Sequence, residues 1–268
     1  MRLRSPLRAC LRPLRLERKR SLILLIAIAM LTLAPLLARS TKADEQANLD
    51  VALSLAEMLQ AARTVISSNQ DLINDPSRGD KGLTGDVVLA ATIEEYKKIA
   101  GVDPLTIDPA SQHGRLLRAE MDSIKEVMDE NQDLINEEGL GFKGFIPAIF
   151  GRLITERLQQ KMATELRIKV TAPPPLVRNR KARPDAWEEK IIEEKFLSPS
   201  WPRGQIYYQT EDAGKEFRVL VPEYYSASCL SCHGGTKGEI DITGYPKEGA
   251  SEGDLGGVIS ITLLRPEK

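Results

Sequence analysis

Residues 257–264 read GVISITLL, in which Ile259, Ile261 and Leu263 alternate with Val258, Ser260 and Thr262. A period of two residues sends one set of side chains to each face of a strand, so this stretch is a strand with an apolar face turned to a core. Three further segments, at 167–171, 205–210 and 217–222, are short and rich in β-branched or aromatic residues and read as strands as well. Pro173 to Pro175 and a helix-like DAWEEKIIEEKF at 185–196 separate the first of them from the second. The C-terminal half is therefore expected to be a small antiparallel sheet with crossing helices.

Upstream the period changes. Leu55, Met58, Leu59, Ala62, Val65 and Ile66 repeat at helical spacing within a helix expected over 44–74. DPSRGDKGLTGD at 75–86 has turn composition, and its Asp spacing fits no calcium loop. A second helix is expected over 87–100. Leu117, Met121, Ile124 and Met128 mark a third, opening behind 108–111 and reaching Asn136. Ile146, Ile149, Phe150, Leu153, Ile154 and Leu158 mark a fourth. Residues 69–74 and 131–136 are both NQDLIN; two copies do not make a solenoid, and they read as two helix ends with similar chemistry. The expected class is α+β, an N-terminal helical region followed by an antiparallel sheet.

Residues 1–20 contain eight of the 37 Lys and Arg but only one acid, Glu17, and residues 21–38, SLILLIAIAMLTLAPLLA, contain no charge. That order is the order of a secretory signal or an N-terminal membrane anchor. The segmentation is then a basic cytoplasmic leader (1–20), an anchor or signal (21–38), a helical membrane-proximal region (44–142) and a sheet-bearing domain (143–268). The expected location of the body is the periplasm, either tethered to a bacterial cytoplasmic membrane or released by cleavage. Removing the leader's eight basic residues and Glu17 leaves 29 basic against 37 acidic side chains, a formal charge of −8. Such a body repels phosphate backbones, which excludes nucleic acid as a partner.

Of three cysteines, Cys10 lies in the leader, so Cys229 and Cys232 alone reach the oxidising side. With Leu230, Ser231 and His233 they spell Cys-x-x-Cys-His, the attachment motif of c-type haem. Two thiols at this spacing can add to the two vinyl groups on one porphyrin edge while the next side chain offers an imidazole to iron. A redox disulfide is the first rival, but no helix N-terminus is expected at the pair to depress a thiol pKa. Zinc is the second, but His113 is the one further exported His or Cys. Haem c requires a maturation system as a partner.

Residues 143–264 resemble the PAS-like periplasmic c-type haem domain family of bacterial sensor kinases, chemoreceptors and a free-standing cyanobacterial cytochrome. The resemblance rests on GFIPAIFGRLITERL, IKVTAPPPLVRNRKARPDAWE, FRVLVP, SCLSCHGG and EGDLGGVISITLL. It implies a PAS-type sheet with one haem packed on it, thioether bonds at Cys229 and Cys232, and His233 as proximal iron ligand. In the free-standing relative the distal ligand is an upstream cysteine, which this exported chain lacks. Met58, Met121, Met128, Met162 and His113 are the candidates left, with Met58 and His113 foremost, and an open or water-filled position is their alternative. Arg178, Arg180, Lys181 and Arg183 are candidates for the propionates. Trp187 is expected against the sheet or the haem edge.

No nucleophile and base pair, phosphate loop or catalytic carboxylate pair stands out, so an enzyme is not expected. The resemblance leans towards a redox or ligand sensor. With no output module in the sequence, such a sensor works with a separate membrane signalling or redox partner. A periplasmic electron-transfer protein is the alternative.

Overall fold

A computed structural model describes the backbone of residues 15–265 and the side chains of 42–265 apart from Ala213. Residues 1–14, with Cys10 and most of the basic leader, lie outside the described residues. The chain divides into two units, Met1–Ala47 and Asn48–Lys268. The first is described from Arg15 onward as the start of α1 (Arg15–Ser68). The expected anchor at 21–38 falls on this helix's backbone, where the side chains are outside the description. Among the described residues no helix is long and apolar enough to cross a membrane.

In the second unit α1 continues and is followed by a one-turn helix α2 (Gln70–Ile73), α3 (Gly85–Ala100), α4 (Gln112–Glu130), a one-turn helix α5 (Gln132–Ile135) and α6 (Pro147–Lys161). The caps follow from the residues. Thr84 accepts the Val87 N–H and Ser111 accepts the Gly114 N–H, each relieving one of the unpaired donors of a first turn. The four strands are β1 (Leu166–Thr171), β2 (Tyr207–Glu211), β3 (Glu216–Tyr224) and β4 (Leu255–Leu264). They form one antiparallel sheet in the order β1-β4-β3-β2. The α+β expectation holds, and the 257–264 alternation names β4, one of the two inner strands.

One apolar core joins helices and sheet. Leu55, Met58 and Leu59 of α1, Leu117, Ile124 and Met128 of α4, and Phe150 and Ile154 of α6 are buried with Ile168, Val219, Ile259 and Ile261. The sheet's other face is covered by α7 (Ala186–Ile191) and a π-helical turn over Ile192–Phe196. There Ile191, Ile192 and Phe196 pack on Leu220 and Val258. The polar side of β4 is therefore buried too. Ser260 donates to Glu188 at 2.6 Å, and Glu188, only 2% exposed, also pairs with Lys169 at 2.9 Å. Trp187 lies on this face, with the Arg218 guanidinium 4.1 Å from its ring centroid and Tyr207 beside it.

The two NQDLIN segments do more than end helices. Asn74 accepts the backbone N–H of Lys143 at 3.2 Å, while Asn136 accepts that of Lys81 at 2.9 Å. Gln70 donates to the Phe145 carbonyl, and Gln132 to the Leu83 carbonyl. The buried ammonium of Lys81 donates to the carbonyls of Asp75 and Arg78, and that of Lys143 to those of Glu137 and Leu140. Each copy thus closes the other's loop by the same bonds. The expected pair of helix ends with similar chemistry is present, and the two copies are in addition in reciprocal contact. Buried backbone donors require acceptors, and each hexapeptide supplies them to the loop after its twin.

Candidate functional site

β3 runs straight into the site. A register shift between Glu223 and Tyr224 bends the end of the strand, as bulges do, and Tyr225 then exchanges backbone hydrogen bonds with 253–254: its N–H donates to Asp254 and its carbonyl accepts from Gly253. The Tyr225 ring lies over β4 where only glycine fits, because a Cβ on Gly256 would meet the ring at 2.6 Å. Residues 226–229 then wind through a short 3-10 turn into α8 (Leu230–His233). No helix start was expected at the cysteine pair, yet Cys229 occupies the N-cap of this one-turn helix. Gly234 ends it with no room for a side chain, since a Cβ would sit 2.9 Å from both Cβ and O of Leu230.

Cys229 and Cys232 are both free thiols, half-buried and unbridged. Their polar neighbours are serine hydroxyls, Ser226 at 3.3 Å from Cys229 Sγ and Ser231 at 3.8 Å from Cys232 Sγ. The His233 imidazole is held on one side. Its ring stacks on Tyr225 at 4.7 Å between centroids, and Nδ1 lies 2.8 Å from Glu248 Oε2 and 3.3 Å from the Tyr225 hydroxyl. Because a carboxylate can only accept, Nδ1 carries a proton and is the donor in this bond. Among the described residues no polar atom pairs with Nε2.

Glu248 is itself clamped. Arg178 donates to its two oxygens at 2.9 and 3.0 Å, to Asp241 Oδ2 at 2.6 Å and to the Cys232 carbonyl at 3.0 Å. Burial raises the Glu248 pKa, but the hydrogen bonds from Arg178 and His233 outweigh it and the net shift is downward. Asp241 follows the same pattern: burial pushes it up, while the Thr243 hydroxyl, Arg178 and the N–H groups of Tyr245 and Thr243 hold it well below the usual carboxylate range. The Tyr225 phenol is pushed up to about 12, first by burial and then by the Glu248 charge. Beside the clamp a cleft of about 330 Å³ is lined by Pro175, Val177, Arg178, Lys237, Tyr245 and Lys247.

The opposite approach is the end of α1. Ser67 lies 3.4 Å from Ser228, and Arg63 binds both oxygens of Glu223 at 2.6 and 2.7 Å. Burial lowers the Arg63 pKa, but Glu223 and then Cys229 raise it, so it ends above its ordinary value. Arg63 Nε is buried without a partner.

The other sequence candidates lie elsewhere. Met58, Met121 and Met128 are buried in the helix–sheet core, and Met162 packs against it. His113, at the start of α4, has its Nε2 buried without a partner; burial lowers its pKa and Asp50 partly restores it. Asp50 and Arg63 are thirteen residues apart on one helix, about 20 Å along its axis, which puts His113 far from Cys229. Arg178 is committed to Glu248 and Asp241, whereas Arg180, Lys181 and Arg183 are exposed. Glu248, Asp241, Tyr225 and Arg63 were not found from the sequence. Neither an acid fifteen residues past a motif nor an arginine on a distant helix carries a local signal.

Fold and site together define an α+β protein that presents a Cys-x-x-Cys-His turn at the end of a sheet strand, with the histidine fixed through Nδ1. Residues 41–263 match the Tll0287-like family, described as Tll0287, and the chain belongs to that family. Among solved structures, the crystal structure of the cyanobacterial heme-protein Tll0287 is similar, at 17% identity over 44% of this chain and 71% of that chain, with a TM-score of 0.33. No curated protein is significantly similar to the chain.

Proposed function

We propose that this protein carries one haem covalently, through thioether bonds from Cys229 and Cys232 and iron ligation by His233. We place it on the periplasmic side of a bacterial cytoplasmic membrane, as a redox or ligand sensor read by a separate partner. One observation carries the reading: a one-turn helix offers two unbridged thiols and an imidazole whose Nδ1 is engaged and whose Nε2 is not. Membership of a family described by Tll0287, a cyanobacterial heme-protein, supports it. The resemblance to PAS-like haem domains points the same way, and the basic leader ahead of an apolar run supports the location.

Haem supplies one-electron exchange and, where its sixth position is open, capture of small ligands. The residues supply the rest. The thiols fix the group in place, Tyr225 and Glu248 set the imidazole plane, and Arg180, Lys181 and Arg183 are placed in the open for anionic carboxylates. Maturation enzymes of the c-type haem pathway are the required partner.

Sensing is favoured because the described methionines pack in the core and His113 lies far along the helices, which supports a sixth position held by an exchangeable ligand. A sensor needs states that its ligand distinguishes, since equal affinity for both shifts no equilibrium. The second reading, an electron carrier, is favoured by the exposure of 226–228 and Ser231 around the thiols. Absorption spectra of the matured protein, oxidised, reduced and reduced with carbon monoxide, test the choice. Ready binding of carbon monoxide is expected; tight six-coordination in both redox states without it would promote the electron carrier.

A further inference from the structure

We infer that Glu248 is a positioning residue for the axial histidine and that its carboxylate, braced by Arg178, lowers the reduction potential of the iron. The inference rests on the haem reading above and assigns a role to a residue that no motif marks. Its basis is geometric. Among the described residues, the acidic oxygen at His233 Nδ1 is Glu248 Oε2, at 2.8 Å, closer than the neutral Tyr225 hydroxyl at 3.3 Å. An ionised acceptor draws the Nδ1 proton towards itself, which gives the ring more imidazolate character and makes Nε2 a stronger donor. A stronger donor favours ferric over ferrous iron.

The carboxylate is held in position from three directions. Arg178 binds both its oxygens and is itself tied to Asp241, whose side chain is fully buried. The same guanidinium reaches the Cys232 carbonyl, so the clamp registers Glu248 against the thioether turn itself. Two residues past Glu248, the Ala250 N–H donates to the His233 carbonyl at 2.9 Å, and Gly234 and Ala250 form a bridge. The 248–250 segment therefore moves with the histidine. Asp241, four hydrogen bonds from protein donors included, anchors the arginine rather than the imidazole.

The test is a spectroelectrochemical titration of the full matured protein and of two variants. Glu248→Gln keeps an acceptor of the same size but removes the charge; Glu248→Asp keeps the charge and shortens its reach. The expected order of potentials is wild type lowest, Asp above it and Gln highest. For Gln the ferrous-to-ferric ratio at fixed poise should rise roughly tenfold, the low end of outer-shell effects on metal sites, equal to about 59 mV for a one-electron couple. A ferrous iron–histidine stretching vibration that weakens in Gln should accompany it. A Gln potential equal to or below wild type, with haem retained, overturns the inference and leaves the haem reading standing. If Gln takes up no haem, Asp decides: a rise supports the role and no rise overturns it. Absence of covalent haem from the unmutated protein would instead defeat the underlying reading.

Discussion

Replacing Arg178 by Met keeps the aliphatic stem of the side chain and removes its charge and all four hydrogen bonds. What remains is Asp241, whose side chain is 0% exposed, and Glu248, 14% exposed, both without their cation. Breaking a buried pair by deleting one partner costs about 3–5 kcal/mol, because the other charge stays desolvated. Arg178 retains 22% side-chain exposure and Asp241 keeps three other donors, so the low end, about 3 kcal/mol, is expected. For a domain of this size that lowers Tm by roughly 6–12 °C. The pH dependence follows from the depressed Asp241 pKa. A folded pKa below the unfolded value gives stability that is present above the unfolded pKa and is lost as pH falls through the folded one. The wild type should therefore lose stability as pH falls below about 4, and the gap between wild type and Arg178→Met should narrow there. Urea unfolding of the matured protein at pH 7 and pH 3, with Lys190→Met as the exposed control, measures both effects. A variant within about 0.5 kcal/mol of wild type at pH 7, the range of ordinary surface changes, would refute the clamp.

Asn136→Ala removes the acceptor for the buried Lys81 N–H and should cost about 1–3 kcal/mol. Asn74→Ala should cost a similar amount through Lys143, and equality with wild type in chemical unfolding would undo the reciprocal repeat. Glu120 is fully buried, both its oxygens lack partners, and burial raises its pKa well above the ordinary value. Its folded state binds the proton more tightly, so its contribution weakens as pH rises above about 4. Glu120→Met is expected to raise Tm, and by more at pH 8 than at pH 5; a lowered Tm at pH 8 contradicts this. A reporter fused after Lys268 should be active in the periplasm, and activity confined to the cytoplasm would reverse the proposed topology.

Much of the fold was legible because the period of its apolar residues was clean. Ile259, Ile261 and Leu263 face the helices as the alternation requires, and the four strands fall where their patterns place them within a few residues, whereas α1 begins at Arg15 rather than at 44 and stops at Ser68, and α4 stops at Glu130 short of Asn136. Ser260 and Thr262 show the limit of pattern reading. Both are polar yet buried; Ser260 finds its acceptor in Glu188 of α7, and no local rule announces a partner seventy residues away. The NQDLIN copies were visible as text, but their reciprocity depends on two loops meeting in space. The same holds at the site. Cys229, Cys232 and His233 are adjacent in sequence because their chemistry demands fixed spacing, whereas Glu248 and Arg178 reach His233 only through the fold. The one-turn helix at the cysteines was missed since a Ser-Ala-Ser lead followed by Gly-Gly reads as loop.

Covalent attachment of haem at the Cys229–Cys232 turn has a direct test. The full chain, expressed with a c-type maturation system, should keep haem stain through denaturing electrophoresis and show an intact mass one haem above the polypeptide, and Cys229→Ser with Cys232→Ser should lose both. Haem that separates from the unmutated chain on denaturation, leaving the bare polypeptide mass, would contradict it.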